Sequence, residues 1–300
     1  MLAILPSQLS DNTTCVGYGL TDAALLTARE AIPLSSPYSV SQSSVFLPIF
    51  SSSALATTTH AVVWIHGLGG DANTYFCSGY AAARSSGSLS VAPWFGDEQL
   101  TLEEWLGVER ADSWRRRHSH APLGLASSSS VFSVYWSTSR WLSGGDNSPS
   151  PARFTTSFDA IDATVAWMRA SHTASLERVS LVGFSAGAQL LSRWAFFSSV
   201  ATAGANVTAV VSDPSSYMYL DGRRPASACS SLRDTGPAHF CTTFAAPDAA
   251  ACPGFDNYKY GLTDLSDSKA ESDRLGGATA MARWLACWGC PPRLPVAPRT

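Results

Sequence analysis

The residue best placed to do chemistry is Ser185, in the sequence Gly183-Phe184-Ser185-Ala186-Gly187. An apolar strand pattern precedes this motif and a helical pattern follows it, which is typical of a strand-to-helix turn that carries a nucleophilic serine. Such a turn is tight, so the positions two residues away on either side must be small, and Gly183 and Gly187 meet that need. The motif therefore predicts acyl transfer with Ser185 as the nucleophile.

The oxyanion formed by attack on a carbonyl needs hydrogen-bond donors, and two segments predict them. Ala186 begins the helix after the serine, so its amide is one candidate. The loop His66-Gly67-Leu68-Gly69-Gly70 follows the apolar run 61–65, and an amide of this loop, that of Leu68 or Gly67, is the second. We expect His66 to brace the loop by hydrogen bonding rather than to act as a base.

The partners of the serine are less defined by the sequence. In this fold the acid and then the histidine follow the serine along the chain. Asp213 follows a short apolar run, a position where some lipases of this fold carry their acid, but Asp213-Pro214 is equally a turn starter. His239 is the only histidine after Ser185, and it would have to swing in from an irregular segment. Asp213 is thus the candidate acid and His239 the candidate base.

The elements that must position these residues follow from short apolar runs. Residues 61–65 form a continuous apolar run, which is typical of a buried parallel strand, and Val179, Leu181 and Val182 indicate a second buried strand. The mostly apolar runs 89–92 and 207–211 predict two further short strands. Helical patterns separate these runs. Alternating strands and helices predict an α/β protein with a doubly wound, mostly parallel sheet.

The domain organisation predicted from these patterns has four parts. Residues 1–59 supply peripheral edge strands, residues 60–213 the core, residues 214–270 an irregular cap or lid, and residues 271–300 an aberrant tail. Within the core, the tract 94–151 reads as an insertion, since its pattern degrades.

Several segments resemble a sparsely characterised α/β-hydrolase family of microbes, fungi and algae. They are VVWIHGLGGDANTYF, APWFGDEQ, TTSFDAID, VGFSAGAQLLSRW, SDPSSYMYL and NYKYGL, which together span roughly residues 60 to 265. The resemblance implies the α/β-hydrolase fold, Ser185 as nucleophile and an ester-like or amide-like substrate.

The sequence departs from that family at its end. Members are expected to continue with a strand bearing the acid and a loop bearing the histidine, whereas residues 281–300 contain no acidic residue and four prolines. We therefore expect the last strands and the catalytic histidine to be missing, and short esters to be hydrolysed weakly or not at all. The Cys287-Trp288-Gly289-Cys290 motif lacks the βαβ context of a redox pair.

The composition limits the classes of molecule that this protein is expected to bind. The net charge of -3 and the pI near 6.0 argue against nucleic acid as a partner. No apolar run approaches the roughly 18 residues needed to span a membrane. The basic run Arg115-Arg116-Arg117-His118-Ser119-His120 reads as a solvated loop rather than a metal site, and neither metal nor cofactor is predicted. The oligomeric state is left open.

The compartment also stays open at this point. Met1 to Leu5 is apolar but lacks the basic leader and the full apolar core of a signal peptide. Seven cysteines and the glycosylation sequons at Asn12 and Asn206 favour an oxidising compartment. Cys229, Cys241 and Cys252 are expected to lie in the cap, with at least two of them close enough to form a disulfide if the protein is secreted.

The leading interpretation is a serine hydrolase acting on a small ester-like or amide-like carbonyl substrate. The alternative is a catalytically inactive, hydrolase-like binding protein that holds a small apolar ligand or a protein partner under the cap. Labelling of Ser185 by a serine-directed probe distinguishes the two.

Overall fold

The structure is a computed structural model of the 300-residue chain. It describes residues 18, 20–34, 45–53, 57–118, 131–148, 155–172, 176–198, 206–225, 244–258 and 260–263. His239, Cys229, Cys241 and the tail 271–300 lie outside the described residues, so the predictions made for them stay predictions.

The described chain alternates strands with helices, as the apolar runs indicated. The strands are β1 (Arg29–Leu34), β2 (Val45–Ser51), β3 (His60–Ile65), β4 (Leu89–Pro93), β5 (Phe132–Ser133), β6 (Arg178–Phe184), β7 (Val207–Ser212), β8 (Arg224–Pro225) and β9 (Phe244–Ala245). The helices are α1 (Asp22–Thr27), α2 (Ala72–Ser86), α3 (Leu102–Leu106), α4 (Val108–His118), α5 (Ser157–His172) and α6 (Ala186–Phe197), with a 3₁₀ helix over Ser139–Ser143.

One twisted sheet carries the fold, in the strand order β1-β2-β4-β3-β6-β7. Strands β4, β3, β6 and β7 are parallel, whereas β2 is antiparallel to both β1 and β4, and the short β5 pairs with β2. The register pairs Ile65 with Gly183 and Phe184 with Ser212. The ends of β3, β6 and β7 therefore meet at one edge of the sheet.

Helices cover both faces, which makes this an α/β protein with a mostly parallel sheet. On one face α5 and α6 pack over β3 and β6, where Val63, Leu181 and Leu190 are buried in a common core. On the other face α2, α3 and α4 form a second core with β2 and the end of β4, including Phe46 and Phe76.

The tract 94–151 contributes to both cores. Trp94, Trp105 and Trp114 are buried on the α2 face, and Trp136 and Trp141 on the other. Each of the first three donates its indole N–H to a backbone carbonyl, of Gly70, Glu30 and Ala31 respectively. The description of this tract as an insertion stays a prediction, but it is well packed.

The interpretation of the basic run as a loop is wrong for residues 115–118. These residues form the last turns of α4, which is anchored by the buried Ala111 and Trp114 three residues apart on one face. Residues 119 and 120 lie outside the described residues.

The proposed cap is described over residues 214–225 and 244–263. Strands β8 and β9 form a separate two-stranded sheet there, and Tyr258 packs against Phe197 and donates its hydroxyl to the Ser143 carbonyl. Cys252 is exposed and forms no disulfide. Among the helices of the described chain, none is both long and apolar enough to cross a membrane.

Candidate active site

Ser185 occupies the turn between the end of β6 and the start of α6. Its backbone has φ 53° and ψ -111°, a conformation that L-residues rarely adopt. Its N–H donates to the Ser212 carbonyl at 3.1 Å, and its carbonyl accepts from Gln189 N at 3.0 Å. The side chain is half-buried. Ser185 thus lies between the end of a central parallel strand and a helix, as the motif predicted, and its backbone is strained.

The flanking glycines are required by close backbone contact. A Cβ at Gly183 would lie 2.5 Å from the Gly187 carbonyl carbon. A Cβ at Gly187 would collide with the carbonyl oxygen of Ile65 and lie 2.8 Å from that of His66. Real Cβ atoms do not approach backbone this closely. The absence of both side chains therefore lets α6 start directly against the end of β3.

The first amides of α6 lie directly after Ser185 in the chain. Ala186 is the first helical residue, and a helix leaves its first amides without intrahelical acceptors. No hydrogen bond from the Ala186 N–H is found among the described residues. The amide and the positive end of the helix are thus available to an anion beside Ser185.

His66 is fully buried and braces the loop after β3. Its Nδ1–H donates to the Gly67 carbonyl at 2.7 Å, and its Nε2 accepts from the Phe95 N–H at 2.9 Å. Burial lowers the pKa of the imidazole, against smaller opposing effects of the Gly67 carbonyl and Asp71. Both ring nitrogens are therefore occupied in the neutral form, which confirms the bracing role expected for His66 and leaves no nitrogen to serve as a base.

The two candidate amides of this loop differ in their surroundings. Burial raises the pKa of the Tyr75 phenol, as does Asp71, while the backbone of Gly67 lowers it. Gly67 lies against the Tyr75 hydroxyl, since a Cβ added at Gly67 would be 3.2 Å from that oxygen. The Leu68 N–H has no partner among the described residues, and the Leu68 side chain is 66% exposed at the tip of the loop. Leu68 is thus the freer donor.

Asp213 lies at the end of β7, next to the end of β6. It is exposed and has a φ of 51°. In the described chain, Ser185 and Asp213 are the two non-glycine residues with positive φ. Its carboxylate makes no hydrogen bond to another described residue. The strand register brings Asp213 to the same edge of the sheet as Ser185.

His60 lies at the opposite end of the sheet. Its Nε2 is 2.9 Å from Ser180 Oγ and its Nδ1 is 3.3 Å from Ser88 Oγ. Partial burial and the nearby Arg178 lower its pKa. Because β3 is six residues long, His60 is separated from the Ser185 end by about 17 Å. Among the described side chains, His60 is therefore too far from Ser185 to act on it, and His66 has both ring nitrogens engaged.

A buried polar network that the sequence did not reveal fixes the chain after β7. Arg193 of α6 donates to the carbonyls of Leu142 and Gln189 and to Ser216 Oγ, at 3.3, 2.9 and 2.9 Å. The Ser216 hydroxyl in turn donates to Gln189 Oε1 at 2.7 Å. In the sequence, the signal that could have indicated this network is an arginine, Arg193, among the apolar residues of the helix that follows Ser185.

A pocket of about 190 Å³ opens beside the loop after β3. Its lining residues include the aromatic Phe95, Trp136 and Trp141, together with Leu68 and the hydroxyl-bearing residues 137–139. Ser185 is not among its lining residues. Within the described chain, no group of three or more His, Cys, Asp or Glu side chains could hold a metal ion.

The comparisons with known proteins do not assign this chain to a family. No family model matches it, and no curated protein matches it. Solved structures do match over much of its length. One is LpqC, a poly(3-hydroxybutyrate) depolymerase from Bordetella parapertussis, with 22% identity, a TM-score of 0.38 and coverage of 66% of this chain and 58% of that one.

A second is poly(aspartic acid) hydrolase-1 from Sphingomonas sp. KT-1, with 15% identity, a TM-score of 0.39 and coverage of 86% and 88%. A third is the esterase Pf2001 from Pyrococcus furiosus, with 13% identity, a TM-score of 0.33 and coverage of 63% and 52%. This chain thus matches 58% and 52% of the depolymerase and esterase chains. Likenesses of this size do not bear on function, and the α/β class follows from the sheet itself.

Proposed function

We propose that this protein is a serine hydrolase of the α/β-hydrolase type, acting on an ester-like or amide-like carbonyl. The observation that carries the proposal is the strained backbone of Ser185, held between β6 and α6 by two glycines whose Cβ atoms have no room. Strain of this kind costs on the order of 1 to 3 kcal/mol and persists where the surroundings over-determine it, typically at active sites.

The chemistry follows from the groups around the serine. Ser185 Oγ attacks the carbonyl carbon, and a base takes its proton. The oxyanion then accepts hydrogen bonds from Ala186 N–H and from the loop after β3, with Leu68 preferred because it is exposed at the tip of the loop, whereas Gly67 lies against the Tyr75 hydroxyl. No metal or cofactor is needed for this reaction.

For the base and the acid we keep His239 and Asp213. Asp213 shares the sheet edge with Ser185, which supports it, and His239 is the only histidine that follows the serine. If they form the triad, the chain should hydrolyse short esters faster than the weak rate expected when the histidine is missing. Replacement of either residue should then lower that rate, by up to about 10⁴-fold for an aspartate that orients the histidine. An unchanged rate in His239→Ala would exclude His239 as the base.

The test is covalent labelling by a fluorophosphonate probe, which requires an activated serine. The wild-type chain should be labelled, and Ser185→Ala should not. Ser180→Ala is the matched control. Ser180 contacts His60, but it lies near the start of β6, away from the end that leads into Ser185. Labelling that survives Ser185→Ala, or that is lost in Ser180→Ala, would contradict the assignment.

A second candidate is a hydrolase-like binding protein without catalysis. It is favoured by the engagement of His60 and His66 elsewhere, and by a pocket of about 260 Å³ between cap residues Tyr219, Leu220, Asp221, Arg223 and Phe244. An unlabelled but correctly folded wild-type chain would support this function over the first.

A further inference from the structure

A sequon that meets the chemical requirements for N-glycosylation lies on the surface of the sheet. Asn206-Val207-Thr208 has the Asn-x-Thr pattern with a residue other than proline in the middle. Asn206 immediately precedes β7 and Thr208 is its second residue, and both side chains are exposed. The Asn206 amide group makes no side-chain hydrogen bond to another described residue.

The position of the sequon is fixed by the sheet and clear of the candidate active site. The Asn206 carbonyl accepts from Val179 N at 3.0 Å, which ties the residue to the amino end of β6. Ser185 lies at the other end of the same strand pair, about 20 Å away. A bulky group on Asn206 therefore leaves Ser185 accessible.

The cysteine chemistry of the core agrees with an oxidising compartment. Cys77 is fully buried in α2 and is disulfide-bonded. Disulfides form and persist mainly in secreted proteins and in the secretory pathway, which is also where N-glycans are attached.

The strand that carries the sequon is also one that a glycan would protect. In the described chain β7 is the last strand of the sheet order, and its sequence VTAVVS has no charged residue and no proline. Val210 and Val211 are exposed on it. Uncharged, exposed edges template unwanted strand pairing, and proteins commonly cover or charge them.

We propose that Asn206 is an N-glycosylation site whose glycan shields the exposed edge of β7. The Asn206 amide nitrogen attacks the anomeric carbon of a lipid-linked oligosaccharide pyrophosphate. A C–N bond forms, the C–O bond to the pyrophosphate breaks, the nitrogen loses one proton, and the lipid pyrophosphate leaves. No oxidation or reduction is involved.

The test is to direct the full chain into the secretory pathway of a eukaryotic host and to analyse the secreted protein. Peptide N-glycosidase should release a glycan from the Asn206 peptide and convert Asn206 to aspartate, as read by mass. Thr208→Ser should keep this modification, because it preserves the sequon. Thr208→Val, which has nearly the same shape, should lose it. An unmodified Asn206 in folded, secreted wild-type protein would overturn the proposal.

The shielding role has its own readout. Asn206→Gln should increase self-association in light scattering, whereas Asn12→Gln, which removes the other sequon, should not. Equal association of both variants would refute the shielding while leaving the modification site in place. Probe labelling of Ser185 should be unchanged in Asn206→Gln, so this test is independent of the proposed hydrolase activity.

Discussion

On either side of Ser185 the chain leaves the sheet, at the end of β3 and at the end of β7. The two segments that follow, the β3 exit (residues 66–70) and the β7 exit (residues 213–216), are held in different ways. After β3, His66 is 0% exposed and uses both ring nitrogens, and the buried Trp94 donates to the Gly70 carbonyl at 2.9 Å. After β7, Asp213 is exposed at a positive φ, and its carboxylate makes no hydrogen bond within the described chain.

In the proposed hydrolase, this difference would separate two tasks of the site. Groups that stabilise an oxyanion are effective when they are fixed before the reaction, because reorganisation then costs nothing at the transition state. The β3 exit has that rigidity. The β7 exit is anchored only further along, where Ser216 joins the Arg193 and Gln189 network. The acid and base of the proposed site, which transfer the proton, would therefore have to be positioned by residues outside β7.

The largest expected effect on stability lies where Gly187, in the first turn of α6, contacts the end of β3. Gly187→Ala should lower the free energy of unfolding by about 3 kcal/mol or more, because the new Cβ collides with the backbone of β3. The result is diagnostic because alanine is otherwise favoured over glycine in a helix by roughly 1 kcal/mol. Chemical denaturation measures it. Gly222→Ala, where nothing lies within 4 Å, should change stability by less than about 0.5 kcal/mol.

The next effect concerns the β3 exit alone. Trp94→Phe should cost about 2 kcal/mol, since it leaves the Gly70 carbonyl without its indole donor and creates a void. It should also slow probe labelling of Ser185, because the loop that carries the Leu68 amide loosens. Trp114→Phe removes a similar bond, at 2.8 Å to Ala31, far from the site. Slower labelling in both variants would show that the effect is general destabilisation.

A smaller effect is expected in the pH dependence of the free energy of unfolding, through His66 in the β3 exit. The pKa of His66 is lowered in the folded state from its usual 6.5, so on acidification the unfolded chain binds a proton first. Stability should therefore fall as the pH drops below 6.5, by at most about 1.4 kcal/mol per pH unit from this group. His66→Gln should flatten that slope in thermal unfolding between pH 5 and 7. His60→Gln should flatten it less, since His60 is only partly buried; an equal flattening would contradict the rigid description of the β3 exit.

The smallest effect is expected at the β7 exit. Asp213→Gly should leave stability unchanged or raise it by up to about 1 kcal/mol, because glycine adopts positive φ without strain. Asp213→Ala should cost about 1 kcal/mol for the same reason. A loss above about 2 kcal/mol in Asp213→Gly, measured by denaturation, would mean that this exit is as firmly held as the other.

The sequence predicted the parts of this arrangement that depend on local geometry. The runs at 61–65, 179–182 and 207–211 are strands, the turn at Ser185 follows from its two glycines, and His66 braces its loop. The helix at Val108–His118 was not predicted, because its anchoring face has little more than Ala111 and Trp114 and the charged residues between them hide the period. The contacts of Arg193 with Leu142 and Ser216, and that of Trp94 with Gly70, join segments 23 or more residues apart, and no local pattern encodes them.

The contact of Gly187 with the end of β3 has a consequence for how the specificity of this protein could change. That contact joins backbone to backbone, so no choice of side chain can widen or narrow it by small steps. The position of the first turn of α6 against the end of β3 is therefore fixed in any variant that still folds. Adaptation to a new substrate, in nature or in directed evolution, would have to act on replaceable neighbours such as Trp136 and residues 137–139, whose side chains line the adjoining pocket.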